Sequence, residues 1–423
     1  MRELAKGIKS SKFLRDAVTL IGGTGLSMAI QILSSPILTR LYSPAEFGAF
    51  ALYFSFVTFL TVITTAKFEL AIVLPKEDKD AAIILLIAMS VALLLSIAIY
   101  LVIFGVSFLP IIKTNYWVSY LPITVFFIGV FQSCYYWLNR QRKYHTLALM
   151  RVVQSLSIMA FSIIFAFGFV HHDGLIKGYV IGQAVVSIVI FSLVIKKAWC
   201  SCGKLQIPLI LQLIVRYKDF PLYSTIVGFV ESFAMQIPVF FLSAFFGKTI
   251  VGFYSLAVRV TSVPTSVIAR AIGDVFRQRA SSEYVNKGEC SAFFRRVCFL
   301  LFILGVGVFF TFFIIAPKLF ALVFGTNWEI AGEYARILTL MLFLQFIVNP
   351  LSNMFIIAER QKLNLLMQIY LLTVNTLSLS LGYYFFHDVK KTLMLFACTY
   401  ASKYLLELFL SYQFSLGKMK RRS

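Results

Sequence analysis

The chain has 423 residues, 60% of them hydrophobic and only 13% charged, and its mean hydropathy is +0.86. Soluble domains carry about 45–50% apolar and about 25% charged residues, so a soluble globular protein is excluded and an integral membrane protein is indicated. The formal net charge of +21 invites a nucleic-acid reading, but the placement of the cations along the chain removes it.

The chain opens on a basic arm, "MRELAKGIKSSKFLRD", with Arg2, Lys6, Lys9, Lys12 and Arg15. It reads either as a short amphipathic helix on the membrane surface or as a solvated start, and no cleavable signal peptide is expected. From there apolar runs of about 18 to 25 residues recur to the end, each long enough to cross a hydrocarbon core of about 30 Å as a helix. Twelve spans are expected, at 17 to 39, 47 to 66, 81 to 105, 117 to 137, 149 to 170, 176 to 195, 221 to 246, 250 to 270, 292 to 316, 331 to 357, 362 to 386 and 391 to 415. The fold class is therefore all-α and multi-pass. Most Lys and Arg residues fall in the arm, in the loops after even-numbered spans and in the tail, Lys418, Lys420, Arg421 and Arg422. The opposite loops hold only Arg40, Lys113, Lys177, Lys248, Lys318, Lys390 and Lys391. Cytoplasmic loops hold the excess of basic residues, which places both termini in the cytoplasm and accounts for the net charge without nucleic acid. Anionic headgroups are the expected partners of the arm and tail.

The longest interruption, 196 to 220, divides the spans six and six, giving an N-terminal bundle over 1–195, a linker and a C-terminal bundle over 221–423. Within it, "LQIPLILQLIV" is too short to cross and reads as an interfacial segment. An internal repeat supports the division. "LYSPAEFGAFAL" at 41 to 52 and "FFGKTIVGFYSL" at 245 to 256 match in kind at an offset of 204, with Gly48 facing Gly252 in the alignment. Transporters built from two such halves bind cargo at the repeat interface.

Catalytic and metal chemistry is not expected, and neither is a cofactor. "FGKT" at 246 to 249 lacks the earlier glycine of a phosphate-binding loop, position 242 being Leu. "HHD" at 171 to 173 and "CSC" at 200 to 202 lack further ligands, and the six cysteines read as free thiols. The outer loops are too short to house an enzyme.

Charges inside the expected spans are the informative residues, because a charged side chain there costs at least a few kcal/mol. Glu231 in span seven and Arg259 in span eight fall at similar depth, and Lys403 and Glu407 share a face of span twelve. Two readings stand: buried ion pairs that hold helices together, or a hydrated cationic lumen in which Arg grips phosphate bidentately and Lys acts as a point charge. On the second, Glu231 is a proton or sodium site. Arg40 and Glu46 at the outer rim, and Lys67 and Glu69 at the cytoplasmic end of span two, complete the candidate set, with Asp274, Arg277 and Arg279 in the loop after span eight. Gln31, Gln154, Gln183, Asn349, Asn353 and Asn375 add neutral polar groups within spans.

Three stretches, "SSPILTRLYSPAEFGAFALYFSF" at 34 to 56, "AKFELAIVLPKEDKDA" at 66 to 81 and "VPTSVIARAIGDVFRQRASSEYVNKGE" at 263 to 289, together resemble Wzx-type flippases, the polysaccharide biosynthesis transporters that move lipid-linked O-antigen or capsule units. The resemblance spans the chain and implies the multidrug/oligosaccharidyl-lipid/polysaccharide (MOP) exporter fold in a bacterial inner membrane. It also implies an undecaprenyl-pyrophosphate-linked oligosaccharide as cargo and a polysaccharide polymerase as partner. Alternatives are a multidrug exporter of the same superfamily, a lipid II flippase and a non-transporting assembly scaffold. Span one, uncharged from Ala17 to Thr39, lacks the arginines expected of a lipid II flippase.

Overall fold

The computed structural model describes residues 2–107, 116–168, 173–203 and 206–417. Lys113, His171, His172, Lys204 and the tail cations from Lys418 onward lie outside the described residues. Among those described there are helices and turns but no strand.

Among the described residues, eleven helical stretches are long and apolar enough to cross a membrane. The first expected span adds a twelfth, as the second half of α1, Arg2–Leu41. α1 is rich in small and polar residues because it packs on α6, Tyr144–Ala166. The Ser27 and Ser155 hydroxyls meet at 2.5 Å, and Gly23 admits Ala148 where a Cβ would collide. Small residues let membrane helices approach closely, and paired hydroxyls satisfy each other where water is absent.

The remaining elements follow the expected order, with differences at several ends. α2, Pro44–Thr61, stops before the expected end of span two, and a turn over 62–67 leads into the short α3, Phe68–Ala71. α10, Lys248–Lys287, continues well past span eight, so Asp274, Arg277 and Arg279 stand on a helix where a loop was expected. α12, Glu329–Leu351, ends early and is followed by the short α13, Met354–Ile357. The other helices are α4 (Asp78–Ser107), α5 (Leu121–Arg140), α7 (Gly174–Cys202), α8 (Ile207–Arg216), α9 (Thr225–Phe245), α11 (Ser291–Phe324), α14 (Gln361–Phe386) and α15 (Val389–Ser415). α8 forms within the segment expected to be interfacial; in it Leu213 is buried, while Ile207, Leu211 and Val215 are exposed.

Two compact units emerge, one comprising 1–42 and 52–233, the other 43–51 and 234–423. In the N-terminal unit, α4 begins on Asp78 and Asp80, favourable charges at a helix N-terminus. The Ala81–Ala88 face of α4 is buried against Phe131, Trp137, Val186 and Ile190. Arg140 secures the preceding turn, bonding Asp78 at 3.0 Å and the Pro75 carbonyl at 2.6 Å. In the C-terminal unit, Trp328 is fully buried between Phe47, 4.9 Å away, and Phe253, 5.8 Å away.

Candidate functional site

The N-terminal unit contains a cavity of about 300 Å³ whose walls come from α2, the turn over 62–67, α3, α5, α6 and α7. The turn puts charge into it. Ala66 and Lys67 both take positive φ, 48° and 61°, a conformation that costs a non-glycine residue roughly 1–2 kcal/mol. The helix has already ended at Thr61, and this turn brings Lys67 and Glu69 to the cavity wall. Glu69 is 4% exposed and accepts a hydrogen bond from the Thr65 hydroxyl. Burial pushes its carboxyl above the ordinary value, opposed by the Thr65 and backbone hydrogen bonds and by the Lys67 charge. The Lys67 ammonium makes no ion pair or hydrogen bond among the described residues.

The opposite cation is Arg151. Its guanidinium lies 4.6 Å from the Tyr135 ring centroid and 5.5 Å from that of Phe131. Cation–π contact holds the charge in place without neutralising it, and no ion pair or side-chain hydrogen bond engages Arg151 among the described residues. Its bidentate fork is therefore available to an anion. Beside it Gln154 donates to Gln183 at 2.7 Å, Gln183 to Ser187 at 3.2 Å, and Ser187 contacts the Phe127 carbonyl at 2.8 Å. This chain fixes both amides. Gln132 Oε1 is buried with no partner among the described residues, so the cavity also offers an acceptor suited to a hydroxyl.

The C-terminal unit has a smaller counterpart of about 120 Å³, lined by Ser262 and Thr265 of α10 together with Gln345 and Asn349 of α12. Ser262 and Thr265 lie 204 residues after Thr58 and Thr61, which line the N-terminal cavity. The repeat thus places a polar cavity at equivalent positions, and only the N-terminal one is lined by charged residues.

Of the residues expected from sequence, the structure brings Lys67 and Glu69 together in this cavity. Arg259 is half-buried on α10 in the C-terminal unit, 5.9 Å from the Phe50 ring centroid, while Glu231 is exposed on α9 in the N-terminal unit. Lys403 and Glu407 pair with each other at 2.5 Å, both buried, with the ammonium 4.5 Å from the Tyr404 ring centroid. Arg40 is exposed at the end of α1. Glu46 accepts from the Ser43 amide and hydroxyl, each at 2.8 Å, and its own amide faces the Ser43 hydroxyl at 3.4 Å. That reciprocal arrangement is a capping box at the start of α2. Arg151 was hidden from the sequence reading among the cytoplasmic loop cations, because it lies at the very start of span five. The available signal was Gln154, three residues on and on the same helix face.

The eleven candidate spans together with α1, among the described residues, define the class as a multi-pass α-helical membrane protein. Solved structures agree on the fold. The lipid II flippase MurJ in its inward closed conformation aligns with a TM-score of 0.68 at 13% identity, over 95% of this chain and 90% of that one. An inward-facing multidrug resistance MATE family transporter of the MOP superfamily gives 0.67 at 14% identity, over 91% and 94%. A MOP superfamily transporter from Pyrococcus furiosus gives 0.63 at 15% identity, over 96% of both chains. No match emerges among curated proteins. The polysaccharide biosynthesis protein family model matches residues 37–333, and the chain belongs to that family. The resemblance to Wzx-type flippases therefore holds at the level of family and fold.

Proposed function

We propose that this protein is a flippase that carries an undecaprenyl-pyrophosphate-linked oligosaccharide, an O-antigen or capsule repeat unit, from the cytoplasmic to the periplasmic leaflet of a bacterial inner membrane. The observation that carries this reading is the N-terminal cavity, where Lys67 and Arg151 set two positive charges against the single carboxyl of Glu69, beside an amide oxygen with no partner among the described residues. A pyrophosphate supplies the missing charge, and Arg meets phosphate bidentately. Sugar hydroxyls suit the Gln132 acceptor. The cycle is alternating access. Glu69 is the coupling site on this reading: protonation removes a negative charge beside Lys67 and strengthens the hold on an anion. A cationic drug would meet uncompensated positive charge here, which disfavours the exporter alternative.

The test is leaflet-resolved labelling of the lipid-linked unit in a deletion strain. Restoring the wild-type protein is expected to move accumulated intermediate to the periplasmic face, and Arg151→Ala is expected to insert normally without doing so. Outward movement in the deletion strain itself, with no other flippase to substitute, would refute the assignment.

A further inference from the structure

The C-terminal unit presents a cleft between α11 and α15 that the carrier reading does not use. Two grooves follow one another along it. The larger, about 760 Å³, lies beside Val306, Phe309 and Phe313 of α11 and is floored by α12. The smaller, about 570 Å³, begins where α11 reaches Phe302 and runs back to its first turns. Both are walled by apolar side chains, and α11 is the least buried of the candidate spans, with 17% of its apolar window buried.

Each groove holds a guanidinium, one about two turns into α12 and the other near the start of α11. Arg336 closes the larger one roughly 10 Å along α12 from Glu329, at a rise of about 1.5 Å per residue. Arg295, in the first turns of α11, closes the smaller. Both are exposed, and neither has an ion pair among the described residues. Lys390, also beside the larger groove, is already bound to Glu333 at 2.5 Å, and the Thr339 hydroxyl is committed to the Ala335 carbonyl. The arginines are thus the groups left to recognise a ligand. An apolar channel that starts at a bare cation and runs toward the middle of a span matches an anionic headgroup followed by an acyl chain. Two such channels pointing toward each other match the two leaflets.

We propose that the α11–α15 cleft binds anionic phospholipid, one molecule from each leaflet, with phosphates on Arg336 and Arg295 and acyl chains in the two grooves. Net negative charge is required because a zwitterionic lipid brings its own ammonium to compete for the phosphate. The site is independent of the transported cargo.

The experiment is native mass spectrometry of the purified full-length protein in mild detergent, with phosphatidylglycerol and phosphatidylcholine of identical chains added separately. Wild type is expected to retain phosphatidylglycerol roughly fivefold more strongly per site, the preference expected from about 1 kcal/mol per cation. Arg336→Gln or Arg295→Gln should remove one of two bound lipids, the double variant should remove the preference, and Arg336→Lys should restore part of it. Arg270→Gln, an exposed cation on α10, serves as the neutral control. Equal retention of both lipids by wild type, unchanged preference in the double variant, or full displacement by glycerol phosphate would overturn the proposal. Phe310→Trp with both arginines intact gives a second readout. Chain-brominated phosphatidylglycerol should quench its fluorescence more than the brominated choline lipid, and equal quenching would also overturn it.

Discussion

Gly48 and Gly252 hold two helix starts in backbone contact. A Cβ at Gly48 would strike the Lys248 carbonyl, and one at Gly252 would strike the Pro44 carbonyl. The pairs are reciprocal under the offset of 204, since 44 exchanges with 248 and 48 with 252. The starts of α2 and α10 are therefore related by a local two-fold axis, and the repeat read from letters is a repeat in space at this point. Gly48→Ala or Gly252→Ala must push the helices apart. Each should destabilise the protein by about 1–3 kcal/mol, the usual cost of overpacking, with a lower thermal midpoint in detergent. A double variant close to either single one would show that both act on one contact.

Arg151 is held by two aromatic rings and by no anion of its own. Arg151→Ala should weaken cargo capture roughly 10- to 100-fold, corresponding to loss of charge-assisted hydrogen bonds at about 1.5–3 kcal/mol. Arg151→Lys should recover part of this, because it keeps the charge but not the fork. Initial rates of flipping against cargo concentration in proteoliposomes would report it, and unchanged rates in both variants would remove Arg151 from the site.

Burial raises the Glu69 carboxyl above its unfolded value. The folded protein then binds this proton more tightly than the unfolded chain, so stability falls as pH rises from the ordinary carboxylate value through the raised one. Glu69→Gln keeps a hydrogen-bonding group for Thr65 and should flatten that segment of the melting-temperature profile. The same variant should lose the acid-side pH dependence of transport, and an unchanged transport profile would exclude Glu69 as the coupling group.

Lys403 and Glu407 are buried against each other within α15. Lys403→Ala leaves an uncompensated carboxylate and should cost about 3–5 kcal/mol, read as loss of folded protein in fluorescence-detected gel filtration. Lys403→Met with Glu407→Leu removes both charges and should fold. Transport by that double variant would assign the pair to structure, whereas a folded but inactive one would assign it to cargo or coupling.

The sequence carried the fold because the bilayer leaves few choices: a long apolar run must become a helix. It also exposed the repeat, through Gly48 and Gly252, and two of the cavity charges, Lys67 and Glu69. What it could not supply was partnership. Glu46 reads as a rim charge until its bonds to Ser43 reveal a helix cap. Arg151 reads as one more cytoplasmic cation until α5 brings Tyr135 and Phe131 beneath it. Lys403 and Glu407 share a helix face in either reading, and only the packing of neighbouring helices shows that both are buried. Composition and periodicity are properties of one segment against lipid or water, so they can be read locally. The state of a charge depends on which helices surround it, and only the packed tertiary structure decides that.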